Sequence, residues 1–151
     1  MLFRSNREIT IDHLIEKIDK IAEEEQPEVL VIEGAGGIAV PLNNDEEMAD
    51  LCRRLEAKPI LVSSTALGTL NHSKLTIEYL KQMNCEEASF ILMKAEKELP
   101  IIEQDNISRL SQMAPILSLL PHSAHLDSEE PPLPADFKAD QIFSEGHPWI
   151  S

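Results

Sequence analysis

A chain of 151 residues is long enough to bury a hydrophobic core without disulfides or metals, and its length favours a single domain over residues 1–151. The 27 acidic residues against 13 basic ones give a net charge of −14, so we expect the protein to bind neither nucleic acid nor a membrane surface. The two cysteines, Cys52 and Cys85, lie far apart and without metal-type spacing. Together with the lack of any apolar stretch of roughly 18 residues, they favour reduced thiols in a cytoplasmic protein.

Short apolar runs alternate with amphipathic segments along the chain. The four runs lack the polar–apolar alternation of a half-exposed strand, which predicts strands covered on both faces, as in a parallel sheet. We therefore expect an α/β protein with a mostly parallel sheet of about four strands and helices on both faces. The first predicted helix starts at Thr10 or Asp12 and ends by Pro27, and a strand follows over residues 29–32. The second predicted helix starts at residue 48, with an N-cap within residues 44–47, and leads to a strand over 59–64. The remaining predicted elements are a helix over 70–83 with Leu75, Tyr79 and Leu80 inward, a strand over 90–93, a helix over 102–113 and a strand over 116–120.

The chain changes character after residue 126. Residues 127–134 contain three acids and three prolines, a composition that predicts an extended loop. Residues 136–144 are compatible with a short helix. We therefore expect a core over residues 1–126 and a proline-rich tail over residues 127–151.

The first predicted strand ends in Glu33 and a glycine turn over residues 34–37, Gly-Ala-Gly-Gly. Glycine has no Cβ and accepts positive φ, so such a turn lets backbone approach a ligand closely. In open α/β sheets, ligands bind at the carboxyl ends of the strands. Glu33 is thus a candidate Mg²⁺ ligand, and the turn offers N–H groups to an anion or a carbonyl. The alternative is an acid that caps a turn or pairs with a surface lysine.

The second predicted strand leads into Leu-Gly-Thr-Leu-Asn-His, residues 67–72, at the start of a helix. The free N–H groups and the positive dipole end of such a helix suit a carboxylate. The alternative is that Thr69 or Asn71 is a plain N-cap. His72, alone on this helix, is more typical of a structural histidine.

Two other patterns bear on phosphate and metal binding. No Gly-x-x-x-x-Gly-Lys-Ser/Thr string occurs among the 151 residues, so this sequence encodes no phosphate-binding P-loop. His122 and His125, three residues apart, have the spacing of a metal chelate, but no third ligand is evident. We expect no metal site at these histidines.

Two segments in the same order and spacing resemble dethiobiotin synthase. Residues 31–42 are similar to the Glu-Gly-Ala-Gly-Gly segment of that family, and residues 59–72 to its strand and Leu-Gly-Thr-Leu-Asn-His helix start. Residues 114–121, a late strand that ends in proline, are a weaker match. The resemblance spans residues 9–121 and implies a truncated P-loop-NTPase-like, Rossmann-like three-layer fold.

The resemblance also implies chemistry: the family is a cyclo-ligase of biotin biosynthesis that makes dethiobiotin from 7,8-diaminononanoate, CO₂ and ATP with Mg²⁺, as a homodimer. By position, Glu33 is similar to the family's Mg²⁺-binding acid. Gly36 and Gly37 are similar to part of the wall near substrate and nucleotide. The substrate carboxylate would be bound across the dimer interface by the helix start, residues Thr69, Leu70 and Asn71.

Departures from the family leave two functions open. The family's P-loop and its lysines have no counterpart here, and Lys94 stands where the family has an asparagine that reads adenine. Lysine offers donors only and does not reproduce an amide's paired donor and acceptor. The chain is therefore either active only with a second copy or a separate chain that supplies the P-loop half, or a non-catalytic binding or regulatory subunit. Amidotransferase-like cobyrinate enzymes also carry a glycine-rich glutamate segment, but residues 67–72 argue against them.

Overall fold

The computed structural model describes residues 8–85 and 87–122. The loop and short helix expected in the tail, as well as His125, lie outside these residues and stay predictions. So does the expectation of one domain over residues 1–151. Among the described helices, none is both long enough and apolar enough to cross a membrane.

The described residues divide into two compact units. Unit 1 contains residues 8–57 and 80–85, and unit 2 contains residues 58–79 and 87–122. Every described helix and strand lies within one unit, except the helix Thr69–Gln82, whose last three residues belong to unit 1.

In unit 1, helix α1 (Ile11–Glu25) begins at the expected cap. The Thr10 hydroxyl accepts a hydrogen bond from the N–H of His13 at 3.3 Å, which satisfies one of the free donors of the first turn. At the other end, Gln26 has φ 46° and donates its N–H to the carbonyl of Ala22 at 3.0 Å. This left-handed C-cap ends the helix just before Pro27.

Helix α2 (Met48–Arg54) follows a loop that also fixes the start of α1. The Glu46 carboxylate accepts the N–H of Ile11 at 3.0 Å and the side-chain amide of Asn43 at 2.7 Å. The N-cap of α2 is Glu47, the last residue of the predicted run, and its N–H donates to the Asp50 carboxylate at 3.1 Å. Local polar contacts therefore shape this part of unit 1.

The strand expected over residues 29–32 is absent. These residues belong to no strand, and within the described residues no backbone group of 28–36 bonds to another backbone group. Val31 is 70% exposed and the other three side chains are 40–42% exposed. The sequence correctly shows an apolar run, but a strand also needs a neighbouring strand to accept its N–H and C=O groups. The sheet therefore has three strands in the described residues instead of about four.

Unit 2 has the expected alternation of strands and helices, and it confirms the α/β fold class. All three strands are parallel, in the order β1-β2-β3, so β2 is central. Strand β1 pairs with β2 residue for residue, whereas the β2–β3 register shifts between Phe90 and Ile91. The elements are β1 (Ile60–Ser64), α3 (Thr69–Gln82), β2 (Ser89–Met93), α4 (Ile101–Leu110) and β3 (Ile116–Leu120).

The core of unit 2 is formed by Phe90 and Leu92 of β2 with Ile77 of α3 and Leu110 of α4. One sequence expectation for this core is wrong, since Leu75 is 62% exposed. The buried positions of α3 are residues 69, 73, 77 and 80, spaced by three or four along one face, and Leu75 lies off that face. Two of the four are a threonine and a serine, so hydrophobicity alone did not reveal the face.

Candidate functional site

The Glu33 loop lies in unit 1. The Glu33 side chain is exposed, and among the described residues no group of three or more His, Cys, Asp or Glu side chains is arranged to hold a metal ion. A Mg²⁺ ion at Glu33 would thus take its remaining ligands from water and substrate phosphates, which is how Mg²⁺ is usually bound. Glu33 stays a predicted ligand.

The two glycines after it have different structural roles. Gly36 has φ 98°, and a Cβ there would lie 3.0 Å from Cγ2 of Val40. Apart from its two chain neighbours, no atom of the described residues lies within 4 Å of a Cβ added at Gly37, and its carbonyl accepts the N–H of Val40 at 3.1 Å. Gly36 is thus required by the shape of the turn, whereas the space beside Gly37 is open to a ligand.

The start of α3 lies in unit 2, directly after Gly68, which has φ 94°. Thr69 is the first helical residue and is buried, with 6% exposure. Its hydroxyl lies 2.8 Å from the hydroxyl of Ser63, and its N–H donates to the carbonyl of Ala66 at 3.2 Å. Neither Thr69 nor Asn71 is therefore a plain N-cap, because both lie inside the helix.

Two N–H groups remain open at this helix start. The N–H of His72 already donates to the carbonyl of Gly68 at 3.2 Å. In the described part of the chain, those of Leu70 and Asn71 donate to no carbonyl, as expected in a first helical turn. The resemblance implies carboxylate binding at Thr69, Leu70 and Asn71, and of these three the Thr69 N–H is already used by the carbonyl of Ala66. Glu33, Gly36 and Gly37 belong to unit 1, whereas Leu70 and Asn71 belong to unit 2.

The sequence did not predict a buried polar cluster in unit 2, formed by Thr65, Glu103 and Asn106 and called here the Glu103 cluster. Their exposures are 0%, 3% and 7%. The Thr65 hydroxyl donates to the Glu103 carboxylate, and the Asn106 amide donates to the carbonyl of Thr65 at 2.9 Å. One signal was available: residues 103, 106 and 110 share a face of α4, and polar residues at such spacing from a core leucine indicate a buried network.

Lys94 follows β2, where the resemblance places the family's adenine-reading asparagine. Its N–H donates to the carbonyl of Leu120 at 2.9 Å, which extends the parallel ladder by one residue. The side chain is half-buried and offers donors only.

The two cysteines are free and both belong to unit 1. Burial raises the pKa of the Cys52 thiol from 9.0 to about 12, and the neighbouring Cys85 adds to the increase. Each thiol also donates to a nearby carbonyl at 3.8 Å, Cys52 to Ala57 and Cys85 to Met83. Burial and the neighbouring thiol therefore favour the protonated form of Cys52, which is the less nucleophilic form.

Curated proteins with similar sequences agree with the resemblance. The chain is 36% identical over 104 residues to the ATP-dependent dethiobiotin synthetase of Bacillus velezensis, which covers 68% of this chain and 45% of the relative. It is 36% identical over 118 residues to that of Halalkalibacterium halodurans, covering 76% and 49%. With the protein of Anoxybacillus flavithermus, the identity is 31% over 122 residues, covering 79% and 54%.

The chain spans about half the length of the curated relatives it matches. The resemblance to dethiobiotin synthase is thereby confirmed for the part of the family that this chain covers. A family profile described as an AAA domain matches residues 3–130, which is most of the 151 residues. The chain therefore belongs to the AAA domain family of P-loop NTPases.

Proposed function

We propose that this chain forms the substrate-carboxylate and Mg²⁺ part of a dethiobiotin-synthase-type enzyme of biotin biosynthesis. The reaction would be the ATP- and Mg²⁺-dependent carboxylation and cyclisation of 7,8-diaminononanoate. It would need a P-loop-bearing half in addition to the residues of this chain. The two free thiols fit a reducing cytoplasm, where we place the protein.

The observation that carries this proposal is the pair of open N–H groups at Leu70 and Asn71. They point to an anion site because donors and helix dipole act together at a helix N-terminus. Because the net charge of −14 opposes steering of an anionic substrate, such local donors have to hold its carboxylate. The hydrogen bond between the hydroxyls of half-buried Ser63 and buried Thr69 stabilises the first turn that carries these two N–H groups.

Glu33 would hold Mg²⁺, which supplies charge neutralisation for the phosphates when it is bound. The exposed carboxylate and the open space beside Gly37 support this assignment. In our proposal Gly36 shapes the turn, and Gly37 lets substrate or nucleotide approach the backbone.

The apolar run Val29–Ile32 supports the need for a P-loop half. Its side chains are 40–70% exposed and its backbone lacks ladder partners in the described residues. A run of this composition gains stability when a strand pairs with it and covers it. We propose that a P-loop-bearing segment provides that strand, from the same polypeptide, a second copy in a homodimer, or a separate chain.

The second candidate function is that of a non-catalytic binding or regulatory subunit. Lys94 favours it, because a lysine does not reproduce the amide that reads adenine in the family. Such a subunit would keep the carboxylate site at α3 without turnover.

Calorimetric titration of the full chain with 7,8-diaminononanoate tests the carboxylate site. We expect Asn71→Pro, which removes one N–H, to weaken binding about 10- to 100-fold, since a hydrogen bond to a charged group contributes roughly 1.5–3 kcal/mol. No carbonyl of the described residues accepts the Asn71 N–H, so proline there breaks no helical hydrogen bond, and Asn71→Ala keeps the N–H and serves as the matched control. Equal affinities of the two variants would rule out the open N–H groups as the site.

Turnover separates the two functions. The chain is mixed with the P-loop-bearing N-terminal half of a dethiobiotin synthetase, and Mg²⁺-dependent ATP hydrolysis is followed with the diamino acid present. Turnover that is lost in Glu33→Gln supports the enzyme. Binding of the diamino acid without turnover in any mixture supports the binding subunit.

A further inference from the structure

We propose that the Glu103 cluster positions the loop from which α3 starts, so that Thr65, Glu103 and Asn106 are positioning residues for the anion site at Leu70 and Asn71. None of the three carries an open donor into that site, so they would act through the backbone of residues 65–69. The identity of the anion rests on the function proposed above, whereas the effect on the loop does not.

Asn106 holds the loop through two consecutive carbonyls. Its Nδ2 atom donates to the carbonyl of Thr65 at 2.9 Å and, more weakly, to that of Ala66 at 3.5 Å. The Ala66 carbonyl also accepts the first helical N–H, from Thr69, at 3.2 Å. A side chain of α4 thus contacts the same carbonyl that sets the first turn of α3.

Glu103 and Thr65 link this loop to the segment that follows β2. The N–H of Ala95 donates to the Thr65 hydroxyl at 3.1 Å and to Oε2 of Glu103 at 3.4 Å. The N–H of Thr65 donates to the carbonyl of Met93 at 2.9 Å. The loops after β1 and β2 are therefore fastened to each other and to the first turn of α4.

The burial of Glu103, which is 3% exposed, makes the geometry of this cluster demanding. Its carboxyl group accepts the Thr65 hydroxyl and the Ala95 N–H, and no basic side chain of the described residues pairs with it. A buried polar group is costly as soon as one of its hydrogen-bond partners moves away. The cluster consequently favours one position of the loop over others, and with it one direction for the two open N–H groups.

Four variants distinguish an effect on the position of the loop from a loss of overall stability. Asn106→Leu removes both donors at similar volume, and Thr65→Val removes only the hydroxyl, so it remains informative if Asn106→Leu fails to fold. Glu103→Gln keeps an acceptor for the Thr65 hydroxyl and the Ala95 N–H, so it is the conservative variant. Asp105→Asn is the matched control, because Asp105 is an exposed carboxylate on the same helix, paired with Arg109 at 2.7 Å.

The first readout is amide hydrogen exchange of the full chain without ligand. We expect Asn106→Leu and Thr65→Val to accelerate exchange at Thr69 and His72 at least 10-fold over wild type, with Phe90 and Leu92 of the central strand unchanged. Glu103→Gln and Asp105→Asn should stay near wild type. Unchanged exchange at Thr69 and His72, or equal acceleration in the central strand, would overturn the positioning role.

The second readout is binding, followed at the Leu70 and Asn71 amide signals with 7,8-diaminononanoate and with nonanoate as a plain carboxylate. We expect about 10-fold weaker binding in Asn106→Leu and Thr65→Val, and wild-type affinity in Glu103→Gln. A loosened loop with unchanged affinity overturns the proposal, as does the absence of any shift with either carboxylate. If nonanoate shifts these amides while the diamino acid binds no tighter, the proposed substrate is wrong, and the nonanoate affinities alone decide on the cluster.

Discussion

Two apolar runs of four residues, Val29–Ile32 and Phe90–Met93, are similar in composition and opposite in environment. In the second run, Phe90 and Leu92 are fully buried at the centre of a three-stranded sheet. In the first run every side chain is at least 40% exposed, and the backbone has no ladder partner in the described residues. The difference lies in what surrounds each run.

The comparison shows that an apolar segment can be buried, but that its burial depends on neighbouring strands and helices that pack against it. Phe90–Met93 pairs on both sides, with β1 and with β3, and packs against Ile77 and Leu110. Burial of one large aliphatic side chain contributes about 1.5–3 kcal/mol. The residues of Val29–Ile32 are still 40–70% exposed, so a strand that covered them would add roughly the corresponding fraction of this free energy.

The largest expected effect on the free energy of unfolding comes from a substitution in the buried run, compared with one in the exposed run. Leu92→Ala should lower the free energy of unfolding by about 2–5 kcal/mol, because it leaves a cavity in a core that is fully buried. Val31→Ala should change it by less than about 0.5 kcal/mol, as exposed substitutions do. Urea unfolding of both variants measures this. Similar losses would mean that Val31 is already covered in solution.

Unit 2 was largely predictable, whereas in unit 1 the helices were predictable and the strand was not. The strands Ile60–Ser64, Ser89–Met93 and Ile116–Leu120 were predicted to within one residue, because each is an apolar run with partners inside the chain. The environment of residues 29–32 depends on a neighbour that pattern analysis cannot supply. The Glu103 cluster was missed for a related reason: its members are distant in sequence, and only the packing of α4 against two strand ends makes them partners.

The candidate site, like the fold, was only partly predictable from the sequence. The open N–H groups at Leu70 and Asn71 follow from a helix start after Gly68, which local sequence indicates. A metal role for Glu33 depends on ligands outside its own loop, so it stays a prediction.

The next largest effect on the free energy of unfolding concerns the glycine turn that follows the exposed run. Gly36→Ala should cost about 1–2 kcal/mol, since φ is 98° and the new Cβ would lie 3.0 Å from Val40. Gly37→Ala places a Cβ with no neighbouring atom within 4 Å in the part of the chain that the structure describes, so it should change the free energy of unfolding by less than about 0.5 kcal/mol. Thermal and urea unfolding measure the pair. If the two variants behave alike, the turn is not held in this shape.

A smaller effect tests whether unit 1 has local structure of its own despite the exposed run. Thr10→Ala removes the side-chain acceptor for the His13 N–H, and we expect a loss of about 1 kcal/mol. Thr10→Ser keeps the acceptor and should stay near wild type. Helix content by circular dichroism and urea unfolding give the measurement. A silent Thr10→Ala variant would indicate that α1 is held by packing alone.

The smallest effect concerns the pH dependence of unit 1. The pKa of Cys52 is raised in the folded state, from 9.0 to about 12, so the unfolded chain loses this proton at lower pH than the folded chain does. The stabilisation by the neutral thiol is therefore complete below pH 9 and is lost as the pH rises from about 9 to about 12. The loss should stay well below the roughly 1.4 kcal/mol per pH unit that linkage permits, because solvent screens a half-buried group.

Other groups also titrate in this range, so the measurement is a difference between wild type and Cys52→Ser, whose hydroxyl does not ionise. Urea unfolding from pH 8 to 11 should give parallel stabilities up to pH 9 and a steeper decline for wild type above it. Parallel curves throughout would mean that the thiol is solvated like that of an unfolded chain. Cys52 would then be as open to water as Val31, and the exposed part of unit 1 would extend from the apolar run into α2.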